Sequence, residues 1–166
     1  MAARTLRAAR RVDAIVVSTE SELVARVAAA AGAIVLRRPE ALAEDAVPSV
    51  PVFQHLVEHF PCDVHVNLNL NFPRCEAAVV DQAVEQAILH GEALSVPFAV
   101  WAQTAARLGS YEDPFTITAT RFDDARAGDL DIHTLDDLLE THRLAQGALP
   151  GWDEGIVAPL RTVPRW

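Results

Sequence analysis

The 166-residue sequence contains no lysine, so all 14 of its basic side chains are arginines. Together with 23 acidic residues they give a formal net charge of −9. Nucleic acids bind proteins with clustered basic side chains, whereas the arginines here are dispersed in an acidic chain. We therefore exclude a nucleic acid as partner. A protein of this composition that binds phosphate groups has to use the bidentate arginine fork in place of the lysine ammonium group.

Cysteine is also scarce, because Cys62 and Cys75 stand alone in no metal-binding or redox spacing. A chain of this length can bury enough surface to fold without disulfides, so the scarcity predicts a reducing, cytoplasmic environment. Long apolar runs are missing too. No segment approaches the roughly 20 residues that span a bilayer, and the basic first eleven residues lack the apolar core of a signal peptide. No membrane partner is expected.

What is present is the pattern of a β-α-β unit over residues 12–49. A run rich in Val and Ile leads into a helix-period segment at residues 21–31, and a second apolar run follows at residues 33–36. The segment predicts an amphipathic helix, capped by Thr19 or Ser21 and ended by Gly32, with an inward face of Leu23, Val24, Val27, Ala28 and Ala31. Polar residues follow both strands, where ligands collect in parallel sheets: Ser18, Thr19, Glu20, Arg37, Arg38 and Asp45.

The rest of the chain continues this alternation. Periodicity predicts helices at residues 50–60, 76–90 and 135–145, and strands at residues 63–68, 93–101 and 115–121, with Pro97 at a bulge or strand end. The helix at residues 76–90 is predicted to face inward with Val79, Val80, Ala83, Val84, Ala87 and Ile88. Residues 1–146 then form one α/β domain. Residues 147–166, rich in Pro, Gly and Trp, form an extended tail that lies over a surface, such as that of another subunit.

Several pieces of the sequence resemble the cytidylyltransferases that activate acidic sugars, the acylneuraminate and 3-deoxy-manno-octulosonate class. The matching pieces are VVST followed by an acidic residue, an Ala-Gly-Ala before a strand, RRPEALAED followed by Ser49, and DLDIHTLDDL at residues 129–138. The resemblance implies a Rossmann-like, three-layer α-β-α fold with a mostly parallel sheet. It also implies that the family's first strand is missing, together with the catalytic loop that wraps the triphosphate of CTP.

The same resemblance implies a nucleotide site. It places Arg37 and Arg38 as anion clamps and Asp45 and Ser49 in the matching loop. The strand at residues 63–68 ends in a Gln in that family, and Asn69 takes its position as a contact for the base or sugar. Asn67, Asn69 and Asn71 follow at a spacing of two, which puts all three on one side of an extended segment: Asn71 therefore joins the predicted site.

Relatives in that family bind Mg²⁺ on the nucleotide through an acidic pair before the last helix. Aligned on Thr134, the pair corresponds here to Asp131 and His133, and Asp129 can substitute for the lost acid. We expect Asp131 and His133 to be a metal or acid/base pair, with Asp131 and Asp129 as the Mg²⁺ ligands. A helix start explains the same stretch structurally, with Thr134 as its N-cap and acids in the first turn.

The function predicted from these features is a divergent cytidylyltransferase-like protein. It binds, or acts on, a nucleotide such as CTP or an acidic or phosphorylated sugar-like molecule, as a homo-oligomer or beside a catalytic partner. The loop, the acidic turn near Asn71 and the second acid at His133 are missing or altered. A non-catalytic binding module of the same fold is therefore the main alternative, and whether the chain is an enzyme stays open.

A zinc hydrolase is a remote third alternative. His55, Glu58 and His59 read His-x-x-Glu-His, the inverted zinc-protease signature, which sets two imidazoles one helical turn apart. The five-residue pattern is weakly specific, and relatives in the resembling family often carry a His at the position of His55. Ordinary helix histidines are therefore favoured over a zinc site.

Overall fold

A computed structural model describes residues 2–115 and 118–146; the predicted tail lies outside these residues. The described chain has an α/β, Rossmann-like fold in which helices pack on sheets, as predicted. No helix in these ranges is both long and apolar enough to cross a bilayer. The elements are α1 (Ala2–Ala8), β1 (Val16–Thr19), α2 (Glu22–Ala30), β2 (Ile34–Arg37), α3 (Ser49–His59), β3 (Val64–Leu68), α4 (Ala77–His90), β4 (Glu92–Val96), β5 (Val100–Thr104), α5 (Ala105–Gly109), β6 (Thr120–Asp123) and α6 (Leu135–Gln146).

The predicted β-α-β unit is present, with β1 and β2 parallel and Val16 opposite Ile34. Ser21 caps α2, because its Oγ accepts a hydrogen bond from the Val24 N–H, and Gly32 follows the helix with a φ of +74°. The predicted inward face of α2 is confirmed at Ala28 and wrong at the larger apolar residues. Ala25 and Ala28 are buried, whereas Leu23, Val24 and Val27 are exposed. A two-stranded sheet is too narrow to cover the wide apolar stripe of a helix.

The second sheet has the strand order β3-β5-β4-β6. Strand β4 runs parallel to β6, while β5 runs antiparallel to both β3 and β4. The single strand predicted at residues 93–101 is therefore wrong, because β4 and β5 form a hairpin there. Ser95 closes the turn: its Oγ accepts the N–H groups of Ala99 and Val100 and donates to the Pro97 carbonyl at 2.6 Å. The strand predicted at residues 115–121 corresponds to β6, Thr120–Asp123.

Helices cover both faces of this second sheet. On one face α4 packs through small and β-branched residues, with Val79, Val80, Ala83 and Ala87 buried against β3, β4 and β5. On the other face α3 and α5 contribute a second cluster, formed by Val50, Phe53, Leu94, Trp101 and Leu108. The inward prediction for α4 fails at Ile88, whose side chain is 57% exposed.

The segment between α1 and β1 is fastened to α4 by one buried carboxylate. Oδ1 of Asp81 accepts the N–H groups of Arg10 and Arg11 at 2.8 and 3.0 Å. Farther along α4, the Arg11 guanidinium pairs with Glu85 at 2.7 Å. These contacts hold the chain on α4 just before it enters β1.

His65 on β3 makes the stability of the fold sensitive to acid. Its imidazole lies 3.0 Å from Oε1 of Gln103, with the Phe53 ring 4.5 Å away between centroids. Burial lowers the pKa of His65 below its usual value of about 6.5. The unfolded chain therefore takes up this proton first as the pH falls, and the free energy of unfolding decreases below about pH 6.5.

The test is urea unfolding at pH 7.5 and pH 5.5. We expect the unmodified chain to lose more stability on acidification than His65→Gln, since glutamine takes up no proton. Equal losses in the two proteins would show that another group dominates the acid response.

Candidate functional site

The two arginines at the end of β2, Arg37 and Arg38, are both paired with acidic residues. Arg38 Nε donates to Glu20 Oε2 at 3.1 Å, and this ion pair holds the pKa of the Glu20 carboxyl below its usual range. Arg37 donates to the Glu20 carbonyl at 2.9 Å and pairs with the Glu22 carboxylate. An anion at this edge of the sheet would therefore compete with two carboxylates that already neutralise the arginines.

The other two residues predicted in this loop, Asp45 and Ser49, are both exposed. A short 3₁₀ helix, Glu40–Leu42, precedes them, and Ser49 is the first residue of α3. Within the described ranges neither side chain takes part in a hydrogen bond or an ion pair. Their predicted contact with a nucleotide stays a prediction.

The loop after β3 is built around Asn69. Its Oδ1 accepts the Asn71 N–H at 3.1 Å, and its Nδ2 donates to the Phe98 carbonyl at 3.3 Å. A backbone bond from Asn69 to Ala99 adds to this attachment, so the loop is held on the turn between β4 and β5. The carboxamide of Asn71 is different. Asn71 is partly buried as a residue, but its carboxamide is open to solvent and has no hydrogen-bond partner among the described residues.

A second segment, about 60 residues farther along the chain, meets this loop. The Ile132 N–H donates to the Asn71 carbonyl at 2.9 Å, so Asp131 and His133 flank the residue bonded to Asn71. The two side chains form a pair, with His133 Nε2 2.9 Å from Asp131 Oδ2. Asp129, predicted as a further metal ligand, instead lies 3.6 Å from the Arg74 guanidinium.

The start of α6 fixes this segment. Thr134 Oγ accepts the Asp137 N–H, and Asp137 Oδ2 accepts the N–H groups of His133 and Thr134 at 3.0 and 2.8 Å. These hydrogen bonds lower the pKa of Asp137, with the His133 N–H as the largest cause. The arrangement is a reciprocal helix cap. The helix start predicted at Thr134 is therefore present. Its hydrogen bond to the His133 N–H also holds the backbone of the Asp131–His133 pair.

The structure thus brings some predicted residues together and leaves others apart. Asn69, Asn71, Asp131 and His133 belong to one hydrogen-bonded edge, which we call the asparagine edge. Across the described ranges no hydrogen bond or ion pair connects that edge to Arg37 or Arg38. A common crevice for all of them stays a prediction.

Candidate metal ligands are sparse in the part of the chain that the structure describes. No group of three or more His, Cys, Asp or Glu side chains that could hold a metal occurs there. The rings of His55 and His59 lie 4.4 Å apart between centroids, and His59 Nδ1 is bonded to the His55 carbonyl. The zinc-protease pattern therefore finds no third protein ligand among these residues.

One polar cluster was not anticipated from the sequence. The buried Glu92 carboxylate accepts hydrogen bonds from Trp101 Nε1 at 2.8 Å and Arg107 Nε at 3.2 Å, and also from the Tyr111 and Thr118 hydroxyls. Burial, followed by the contact with Glu92, raises the pKa of Tyr111. Because protein groups surround the carboxylate, we interpret the cluster as structural. In the sequence, the one sign of this cluster is that Glu92, a charged residue, directly precedes an apolar run.

The sequence matches no family model and no curated protein sequence. The fold, however, is similar to the solved structure of a cytidylyltransferase from Leptospira borgpetersenii serovar Hardjo-bovis (strain JB197). The two share 12% identity at a TM-score of 0.69, and the match covers 99% of this chain and 85% of the other. At this identity the similarity establishes the fold and leaves the chemistry to be argued from the site.

Proposed function

We propose that this chain binds a cytidine nucleotide at the asparagine edge, without transferring it. The observation that carries the proposal is the solvent-accessible carboxamide of Asn71. It lacks a partner among the described residues and lies on the loop bonded to the Asp131–His133 segment. The fold around it is similar to that of a cytidylyltransferase.

The chemistry of the edge suits a pyrimidine base. A carboxamide offers a donor and an acceptor side by side, and cytosine presents an amino donor at N4 next to an acceptor ring nitrogen. Asn69 is occupied by the loop and so positions Asn71, which is left to contact the base. The same two turns also carry exposed apolar side chains: Leu70 is 71% exposed and Phe98 is 40% exposed. They provide a surface for the face of a base or for the ribose.

His133 supplies a group for the polar part of the ligand. Its Nε2 is paired with Asp131, so Nδ1 is the ring nitrogen left to meet a phosphate or sugar hydroxyl. Arg74 lies on the same loop and is balanced by Asp129. The Asp131–His133 and Arg74–Asp129 pairs are both largely open to solvent. A ligand can therefore replace one partner of either pair without entering the protein interior.

Nucleotidyl transfer is the second candidate, and Asp131 is the observation that favours it. Mg²⁺ is commonly held by one or two carboxylates together with substrate phosphates, and Asp131 fits one such position. Attack on the α-phosphate of CTP also needs cations placed around the phosphates. Arg37 and Arg38, the residues expected to supply them, are already paired with Glu20 and Glu22. Binding alone therefore accounts better for the charges in this part of the chain.

Calorimetric titration with CTP, CMP and ATP tests the proposal. We expect the cytidine nucleotides to bind more tightly than ATP, and Asn71→Ala to weaken CMP binding about tenfold, which corresponds to about 1.4 kcal/mol for one lost base contact. Asp131→Ala should weaken CTP binding as well. Asp136→Ala removes the same charge from the exposed first turn of α6 and serves as the matched control.

Equal affinity for CTP and ATP, or no effect of Asn71→Ala, would contradict the proposed base contact. A separate assay addresses transfer, by measuring pyrophosphate release from CTP with Mg²⁺ and a panel of acidic sugars. Release that disappears in Asp131→Ala would establish the second candidate in place of binding alone.

A further inference from the structure

Ser95 uses all of its hydrogen-bonding capacity within one turn. Its side chain is fully buried on β4, and its Oγ accepts the N–H groups of Ala99 and Val100 at 3.1 and 2.9 Å while donating to the Pro97 carbonyl. A hydroxyl group has one hydrogen to donate and two lone pairs that accept. No capacity is left for a ligand, so Ser95 can act on the asparagine edge only through the turn that it holds.

The hydroxyl of Ser95 takes the place of a strand partner at this point. Pairing between β4 and β5 ends at Leu94 opposite Trp101, and the same register would next place Ser95 opposite Val100. There the side chain of Ser95 accepts the Val100 N–H. A buried hydroxyl group costs free energy unless it is hydrogen-bonded, and these bonds offset that cost. The path of the chain through the turn therefore depends on this one side chain.

The loop of the asparagine edge is attached to the same turn. Ala99 is bonded on both sides, because its N–H donates to Ser95 and its carbonyl accepts the Asn69 N–H at 2.8 Å. The Phe98 carbonyl accepts Nδ2 of Asn69 at 3.3 Å, and Oδ1 of Asn69 accepts the Asn71 N–H at 3.1 Å. An unbroken series of hydrogen bonds therefore leads from Ser95 to the backbone of Asn71.

We propose that Ser95 is a positioning residue of the nucleotide site, which sets the place of the Asn71 carboxamide through the turn and Asn69. The inference rests on the proposed function, because Asn71 is the residue proposed to contact the base. A binding group has to be held within about 0.5 Å of its productive position by the residues behind it. Among the described residues the Asn71 side chain makes no hydrogen bond. Its position therefore depends on its backbone bonds, to Asn69 and to Ile132.

Calorimetric titration of the full chain with CMP tests this role. We expect Ser95→Ala to weaken CMP binding about fivefold, because the loop loses its anchor while every proposed contact group remains. Ser95→Cys keeps a weak acceptor of similar size and should weaken binding less. It repeats the test with a smaller loss of stability.

Thr104→Val is the matched control. The Thr104 hydroxyl also bonds main-chain groups, since it accepts the Arg107 N–H at 3.2 Å and donates to the Gly91 carbonyl at 3.3 Å. These bonds lie at the other end of the β4–β5 hairpin, away from the turn. We expect this variant to lose stability and to keep its affinity for CMP.

A double variant separates positioning from a general loss of stability. If Ser95 acts through Asn71, then Ser95→Ala should weaken CMP binding by less than about twofold in the Asn71→Ala background. In the free chain, amide exchange of the Asn71 and Ile132 N–H groups should accelerate in Ser95→Ala and stay unchanged in Thr104→Val.

CMP binding that Ser95→Ala leaves unchanged, or weakens equally with and without the Asn71 side chain, would overturn the positioning role alone. Equal effects of Ser95→Ala and Thr104→Val on CMP affinity would do the same. Failure of the unmodified chain to bind CMP would overturn the proposed function, and the positioning role with it.

Discussion

Replacing Glu92 with alanine is expected to lower the free energy of unfolding by about 3–5 kcal/mol, which is the cost of breaking a buried ion pair from one side. The carboxylate is only 3% exposed, and it accepts hydrogen bonds from the Trp101 indole and the Arg107 guanidinium. Without it, the indole N–H and the partly buried guanidinium lose their partner together. For a domain of this size, a loss of this order lowers Tm by roughly 10 °C.

Two further variants provide reference values for the stability lost in Glu92→Ala. Glu92→Gln keeps an oxygen for the Trp101 N–H but loses both the charge and the acceptor opposite Arg107, and it should still cost less than Glu92→Ala. Glu85→Ala removes an ion pair in which both side chains are about half exposed, and should cost less than about 1 kcal/mol. The free energy of unfolding and Tm of all three variants are measured by urea and thermal unfolding. A loss for Glu92→Ala no larger than that for Glu85→Ala would show that the cluster does not stabilise the fold.

The second large effect is expected at Asp81. Asp81→Ala removes the acceptor of the Arg10 and Arg11 N–H groups, and leaving them unpaired should cost about 2–3 kcal/mol. The loss of stability should also be concentrated in the part of the chain near β1. Because these bonds fasten the chain just before β1, amide exchange should accelerate in β1 and β2 more than in β4 and β5.

Asp81→Asn separates the hydrogen bonds from the charge. The amide oxygen can still accept both N–H groups, while the ion pair to Arg10 is lost. That arginine side chain is 89% exposed, so the pair should contribute less than about 1 kcal/mol. If Asp81→Asn proves as destabilising as Asp81→Ala, the stabilisation comes from charge and the proposed role of the two N–H groups is wrong.

Much of the fold could be predicted from local patterns. The helix stop at Gly32, the cap at Ser21 and the period of α4 act over a few residues, and the β-α-β unit they delimit is present. The hairpin at Pro97 could not be predicted in this way. An apolar run interrupted by one proline is compatible with one strand or two, and the choice depends on the bonds that Ser95 makes across the turn.

Individual residues of the candidate site could be predicted from the sequence, but most of the contacts between them could not. Asn71 and Asp131 came from a family resemblance, and their segments do meet in the structure through the Ile132–Asn71 bond. The ion pairs of Arg37 and Arg38 with Glu22 and Glu20 could not be foreseen, because they depend on how closely α2 and two loops approach. The burial of Glu92 likewise depends on four residues that follow it by 9 to 26 positions.

The central claim, a cytidine nucleotide at the asparagine edge, is tested most directly by two-dimensional ¹H–¹⁵N NMR of the full chain during titration with CMP. The account predicts concentration-dependent shifts that saturate and are largest for residues 69–74 and 129–134, with the Asn71 side-chain amide among the most perturbed signals. Shifts centred instead on Val16 and residues 64–66, or no shifts at millimolar CMP, would contradict it.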